Sequence, residues 1–522
     1  MVAPLRPDKY LRMGAVVAKG VDATTGISLA ARRRPHGTAI IDELGSLTWA
    51  QLEARCRALA VGLAGLDRGT AAPIGTIAIL CRNHRGFVES LVASSLLGAD
   101  TLLLNTSFAG PQLADVVERE AVDLLIYDDE FAGVVAAVDE LPEPPQRIRA
   151  WTDAGIDSAE PRVDDLVHGY LGETPVRADR QGRIVLLTSG TTGTPKGARR
   201  PGGGDVGTLV AMLDRIPWRA ERTVVIAAPM FHAWGFGQLL IAASMTCTVV
   251  TRRRFDPEAT LKMVADHRAT GLAVVPVMIE RILDLPPEIR RRHDTSSLTF
   301  VTASGSRMRP DAVVLFMDEF GDIVYNSYNA TEAGMIATAT PADLRFAPDT
   351  AGRPCAGTDV KILDAEGDEV APGDVGTIYV RNNSQFDGYT SGDSKSFHRG
   401  YMSSGDVGRL DEAGRLYVVG RDDEMIVSGG ENVYPLEVEQ TLGAHAEVRE
   451  AAVIGVDDHQ YGQRLSAFVV LNPGASVSPD DLKAHVKAHL AAYKVPREVT
   501  LLDELPRNST GKIMKRDLHP PA

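Results

Sequence analysis

Cysteine is scarce in this chain, with four in 522 residues. Cys56, Cys81, Cys247 and Cys355 stand far apart and mostly among apolar neighbours, so they read as reduced core residues, not as a disulfide framework or a zinc cluster. Positive charge is in deficit too. The 55 Lys and Arg are outnumbered by 69 Asp and Glu, a formal net charge of −14, so no global field exists to draw in a nucleic acid. Any anionic ligand must then be held by local donors. No apolar run reaches the ~18 residues of a membrane-spanning helix, and the opening MVAPLRPDKY lacks the apolar stretch of a signal peptide. A cytoplasmic protein is the expectation.

What is present is ordinary in bulk. Apolar residues at 44% and charged residues at 24% suit a soluble globular protein, and the length is too great for one core, which predicts at least two domains. Thr48-x-x-Gln51 is a capping box opening a helix with Leu52, Cys56, Leu59 and Leu63 on one face. Short apolar runs such as Thr76–Cys81, Thr101–Leu104, Asp123–Tyr127 and Leu272–Val275 alternate with amphipathic stretches, the pattern of a doubly wound α/β layer. Beyond about residue 340 the texture turns to glycines and short β runs, predicting a small barrel-like module. The last ~100 residues read as a compact α+β domain.

Chemistry begins at Thr188–Gly197, TSGTTGTPKG, which follows the apolar run Ile184–Leu187. Glycine permits close backbone approach, converging N–H groups take an anion, and Ser/Thr hydroxyls add donors on short stems. Lys196 adds a point charge. Thr188, Ser189, Gly190, Thr191, Thr192, Gly193 and Lys196 together read as a polyphosphate cradle, although the spacing is not that of a P-loop. The stretch resembles the phosphate-binding loop of the adenylate-forming acyl-CoA synthetase superfamily, and matching segments continue in family order to Leu518.

In Asn326–Glu332, NSYNATE, the Glu332 carboxylate suits Mg²⁺, which prefers oxygen ligands and phosphate partners; Thr331 offers a hydroxyl to phosphate and Tyr328 a flat face to adenine. Asn329 stands where the family usually has glycine, and Asn tolerates unusual φ better than most residues. The segment is expected to leave its strand as a polar turn, with Asn326 among the nucleotide contacts. The resemblance implies further roles. Ser304 and Gly305 of TASGS would wall the adenine, while Asp406 and Arg421 would clamp the ribose. Asp423 would be the hinge between a large domain, 1–422, and a small mobile one, 423–522. Gly430 and Glu431 would line the thiol channel, and Lys512 of PRNSTGKIMKRDL would be the catalytic lysine.

In PMFHAWG, His232 would border the acid carboxylate, with Trp234 as a candidate gate to the acyl pocket. The turn PVMIE, with Met278, is another candidate lining. Tyr461 and Tyr493 are candidates for contact with CoA. The runs Arg32–Arg34, Arg252–Arg254 and Arg290–Arg292 are solvated faces or landing points for CoA phosphates or a membrane surface; the sequence does not choose.

The implied activity uses ATP, Mg²⁺ and CoA to convert a carboxylic acid into acyl-AMP and then acyl-CoA. A medium- or long-chain fatty acid is the expected substrate and an aryl acid the alternative. The rivals are a ligase that hands its acyl group to a carrier protein and a non-catalytic adenylate binder.

Overall fold

The computed structural model describes residues 24–69, 72–153, 159–176, 178–188, 196–199, 206–386, 388–390, 394–428, 431–458, 462–508 and 511–520. They divide between two units, the first of residues 1–348, 355–357 and 382–394, the second of 349–354, 358–381 and 395–522.

Two sheets make the first unit. Across one run Gln146–Trp151, Leu124–Asp128, Thr76–Leu80, Asp100–Leu103, Ile184–Thr188 and Lys196–Arg199. Neighbours are parallel except the last two, which form an antiparallel hairpin. Across the other run Gly334–Ala339, Val324–Ala330, Phe300–Ala303, Gly271–Val274, Thr223–Ile226, Thr248–Val250, Thr38–Asp42 and Gly45–Thr48. Here only the hairpins Val324–Ala330/Gly334–Ala339 and Thr38–Asp42/Gly45–Thr48 are antiparallel. Parallel strands need cover on both faces, which is why Leu124–Asp128 and Gly271–Val274 are buried along their whole length. The helix Trp49–Ala64 starts at the expected place, its Thr48–Gln51 capping box closed in both directions.

Polar clasps join the two sheets where their parallel strands end. Asn83, after Thr76–Leu80, donates to the carbonyl of Ala228 and accepts from Met230 N–H. Glu130 gathers Arg82 from one layer and Arg253 and Arg254 from the other at 2.6 to 2.9 Å, and Arg253 also lies 4.5 Å over the Trp151 ring.

The second unit carries two further sheets. One is antiparallel, with Asp359–Leu363, Gly376–Arg381, Tyr401–Leu410 and Leu416–Arg421 as neighbours. In the other, Glu431–Val433, Ile426–Ser428, Gly462–Leu471 and Val448–Asp458 are antiparallel, and Glu498–Leu501 joins Gly462–Leu471 in parallel. Val438 and Leu442 of helix Pro435–Gly443 share a buried core with Leu482 and Val486 of helix Pro479–His489. The β module thus groups with the C-terminal residues. Strand Leu416–Arg421 runs directly into the turn Asp422–Glu424, and Gly420 lies so close to Tyr434 that an added Cβ would stand 3.3 Å from its ring.

Candidate active site

The first unit assembles its chemistry at the carboxyl ends of parallel strands, where open α/β sheets bind ligands. Ala303, the last residue of its strand, pairs with Asn326, so Ser304–Gly305 and the start of NSYNATE are neighbours. Gly305 has φ +102°, a left-handed backbone that glycine adopts without strain. The strands Ile184–Thr188 and Lys196–Arg199, which bracket the cradle in sequence, pair antiparallel with Thr188 opposite Lys196. Ser189, Gly190, Thr191, Thr192 and Gly193 lie outside the described residues, as do Gly430 and Tyr461.

NSYNATE departs from expectation. Residues Asn326 to Ala330 are strand, because Phe300–Ala303 on one side and Gly334–Ala339 on the other supply their backbone partners; only Thr331 and Glu332 occupy the turn. Asn329 is strand and not among the residues of positive φ, so glycine is not needed there; the register shift between Tyr328 and Asn329 takes up the irregularity. Glu332 accepts the Tyr389 hydroxyl at Oε1, 2.5 Å away, and its carbonyl accepts Phe386 N–H at 2.8 Å. Sequence reasoning missed Tyr389. It lies 57 residues from Glu332 and belongs to no motif singled out in the sequence.

His232 sits at the N-cap of helix Ala233–Ser244. Trp234 is 2% exposed, and its indole N–H donates to the carbonyl of Val274 at 2.9 Å. PVMIE is not a turn but the start of helix Pro276–Leu283, with Pro276 in the first turn and Met278 in the core. The arginine runs pair with acids at the surface. Arg33 and Arg34 meet Glu221, Arg253 and Arg254 meet Glu130, Arg290 meets Glu319 and Arg292 meets Glu258. This pairing removes the grounds for reading them as a membrane surface, and among the described residues no helix is long and apolar enough to cross one.

One buried cluster, Cys81, His84 and Asp128, has the composition of a metal site. Both ring nitrogens of His84 are engaged, Nδ1 accepting Gly86 N–H and Nε2 meeting Asp128 within the cluster at 2.8 Å. Burial pushes the Cys81 thiol well up. Through Gly86, His84 caps the helix Arg85–Leu96, while Asp128 also accepts Arg82 N–H.

In the second unit, Asp406 on strand Tyr401–Leu410 pairs with Arg421 across the sheet. The Arg421 guanidinium grips Asp423 with two bonds of 2.9 and 3.1 Å and stands 3.6 Å from Asp406, a fork that raises its pKa. Ser404-Gly405-Asp406 is strand, not an exposed turn, with Gly405 at φ +81°. Glu431 opens the short strand opposite Ile426–Ser428. Tyr493 is exposed.

Two lysines of the tail motif separate cleanly. Lys515 Nζ bridges Glu424 at 2.8 Å and Glu439 at 2.9 Å; burial opposes its charge, but the two carboxylates outweigh burial and hold its pKa above the ordinary lysine value. Lys512 is positioned by backbone alone, its N–H on Asn508 Oδ1 and its carbonyl accepting Asn508 N–H. Among the described residues its ammonium has no ion pair.

The chain matches the family described as AMP-binding enzyme over residues 27–390, and the AMP-binding enzyme C-terminal domain over 437–512. It is 32% identical over 495 residues to feruloyl-CoA synthase of an Amycolatopsis species, covering 94% of this chain and 96% of that protein. The fatty acid–[acyl-carrier-protein] ligase ScoC of Streptomyces coeruleorubidus is 30% identical, covering 94% of each. Among solved structures, o-succinylbenzoate CoA synthetase (MenE) of Bacillus subtilis in complex with its acyl-adenylate intermediate is similar at a TM-score of 0.80 and 28% identity, covering 95% of this chain and 98% of that one. The chain belongs to the AMP-binding enzyme family, the adenylate-forming superfamily its loop resembles. Within it the chain is an AMP-forming acid–thiol ligase.

Proposed function

We propose that this ligase activates a ring-bearing carboxylic acid with a polar substituent, forming acyl-AMP from ATP and then passing the acyl group to CoA. In the first step a carboxylate oxygen attacks the α-phosphorus and the bond to pyrophosphate breaks. The cradle with Lys196 would hold the β- and γ-phosphates, Tyr328, Ser304 and Gly305 the adenine, and Asp406 and Arg421 the ribose. Glu332 and Thr331 are hard oxygen donors of the kind Mg²⁺ takes, and the ion would spread charge at the α-phosphate. Lys512, a cation without a carboxylate partner among the described residues, would bridge the attacking carboxylate and the phosphate, two anions that otherwise repel. His232 would border that carboxylate. In the second step the CoA sulfur attacks the carbonyl carbon and AMP leaves. Rotation about Asp423, dividing 1–422 from 423–522, would replace Lys512 by Gly430 and Glu431.

The observation that carries the choice of acid is Gln238. It is fully buried on helix Ala233–Ser244, its amide meets only the Met212 thioether at 3.9 Å among the described residues, and Oε1 has no partner there. An unsatisfied buried amide costs ~1–3 kcal/mol, so a substrate hydroxyl that satisfies it is favoured. Six residues of helix separate Gln238 from His232, about 9 Å along the axis. Thr302, also fully buried, has a hydroxyl without a partner among the described residues. A fatty acid would leave both unsatisfied. The similarity to feruloyl-CoA synthase supports the same choice.

The test is pyrophosphate release across hydroxycinnamate, cinnamate, benzoates and fatty acids of graded length. Gln238→Leu should cut kcat/KM at least ~10-fold for the hydroxylated acid and leave the unsubstituted one within about twofold. Preference for fatty acids, with Gln238→Leu inert, returns the substrate to that class. The similarity to ScoC keeps a carrier protein as the rival acceptor; AMP release with CoA as sole acceptor decides between them.

A further inference from the structure

The stretch around Tyr389 stands apart from its surroundings. Residues 358–381 and 395–522 belong to the second unit, yet 382–394 belong to the first. There Asn382 donates its amide to the carbonyl of Ala333 at 2.9 Å, and Phe386 N–H reaches the carbonyl of Glu332. Thr390 N–H bonds the carbonyl of Gly197 at 2.7 Å, and its hydroxyl bonds Glu120 at 2.8 Å. Tyr389 pairs in an antiparallel bridge with Ala198, on the strand that leads out of the cradle. Gly197 makes this approach possible: a Cβ there would stand 2.8 Å from Thr390 Cγ2. One residue therefore touches both halves of the nucleotide site, its backbone on the cradle hairpin and its phenol on Glu332. The ring is braced edge-on by Phe386, 4.8 Å between centroids.

We propose that Tyr389 is a positioning residue that locks the Glu332 carboxylate in register with the cradle hairpin. The inference rests on the reading that Glu332 takes the divalent cation of the bound nucleotide. A carboxylate offers about four lone-pair sites, so the phenol O–H on Oε1 leaves Oε2 for the cation. Partners that orient a metal-binding carboxylate typically change metal affinity 10–100-fold when removed.

The test is Mn²⁺ binding, followed by its EPR signal, to the whole chain saturated with a non-hydrolysable ATP analogue. Tyr389→Phe keeps the ring and its packing on Phe386 and removes only the hydroxyl. It should weaken Mn²⁺ binding about 10-fold, leave binding of the metal-free analogue within twofold, and raise the Mg²⁺ concentration needed for half-maximal pyrophosphate exchange by the same factor. Unchanged Mn²⁺ affinity overturns the proposal, and so does tighter binding, the mark of a phenol that competes with the cation. Equal weakening of metal and metal-free analogue also overturns it, as a merely structural role. Glu332→Gln separates this from the reading beneath it. Loss of Mn²⁺ in Glu332→Gln but not in Tyr389→Phe removes Tyr389 alone; loss in neither removes both.

Discussion

The two lysines of the tail make opposite predictions that one pair of variants can separate. Lys515 holds Glu424 and Glu439 together at 2.8 and 2.9 Å, with side-chain exposures of 25%, 27% and 13%. Lys515→Met would leave two carboxylates facing one ammonium-sized gap. An exposed pair would cost under ~1 kcal/mol and a fully buried one about 3–5, so this half-buried triad should cost about 2–4 kcal/mol. Because Lys515 has a raised pKa in the folded chain, its contribution is complete below the free-lysine value of 10.5 and is lost as pH climbs through the higher folded value. The melting difference between wild type and Lys515→Met should therefore be constant from pH 7 to 9 and narrow only above about 10.5. Lys512→Ala breaks no ion pair and should shift stability by less than ~0.5 kcal/mol. It should abolish acyl-adenylate formation, read as pyrophosphate exchange, while thioester formation from supplied acyl-AMP survives. If Lys512→Ala loses both half-reactions equally, or melts as low as Lys515→Met, the division of labour is refuted.

Two further perturbations bear on the fold and the hinge. Arg82, Arg254 and Arg253 outweigh burial and pull the Glu130 carboxyl down to about 2, so its contribution is full above the free value of 4.5 and fades as pH falls toward 2. Glu130→Gln should lower the unfolding free energy from urea titration at pH 7 by about 2–3 kcal/mol, with the gap closing below pH 4.5; a gap independent of pH contradicts the clasp. Asp423→Pro fixes φ at the proposed pivot and also removes the Arg421 fork. It should spare adenylation and slow thioester formation at least ~10-fold, and an unchanged overall rate would place the pivot elsewhere.

Local signals were readable where the physics is local. The Thr48–Gln51 capping box and the apolar runs of the parallel strands announce themselves because cap geometry and two-faced burial are written in adjacent residues. NSYNATE misleads for the opposite reason: Asn and Ser have weak strand preference, and this segment is strand only because Ala303 and Gly334–Ala339 lie beside it. Pro276 did carry a readable signal, proline opening a helix, that a turn reading passed over. Trp234 beside His232 invited a functional role, but only coordinates place its indole against Val274. Tyr389 was invisible, since its partners Glu332 and Ala198 are far away in sequence and nothing in FDGYT names them.

The acid-paired arginines have a kinetic corollary. Each such pair sums to zero, so the formal −14 of the chain stands, while a carboxylate, ATP and CoA all arrive as anions. Attraction must then act at short range, inside the Debye length of about 8 Å. Such a surface trades speed of encounter for indifference to every other polyanion in the cell.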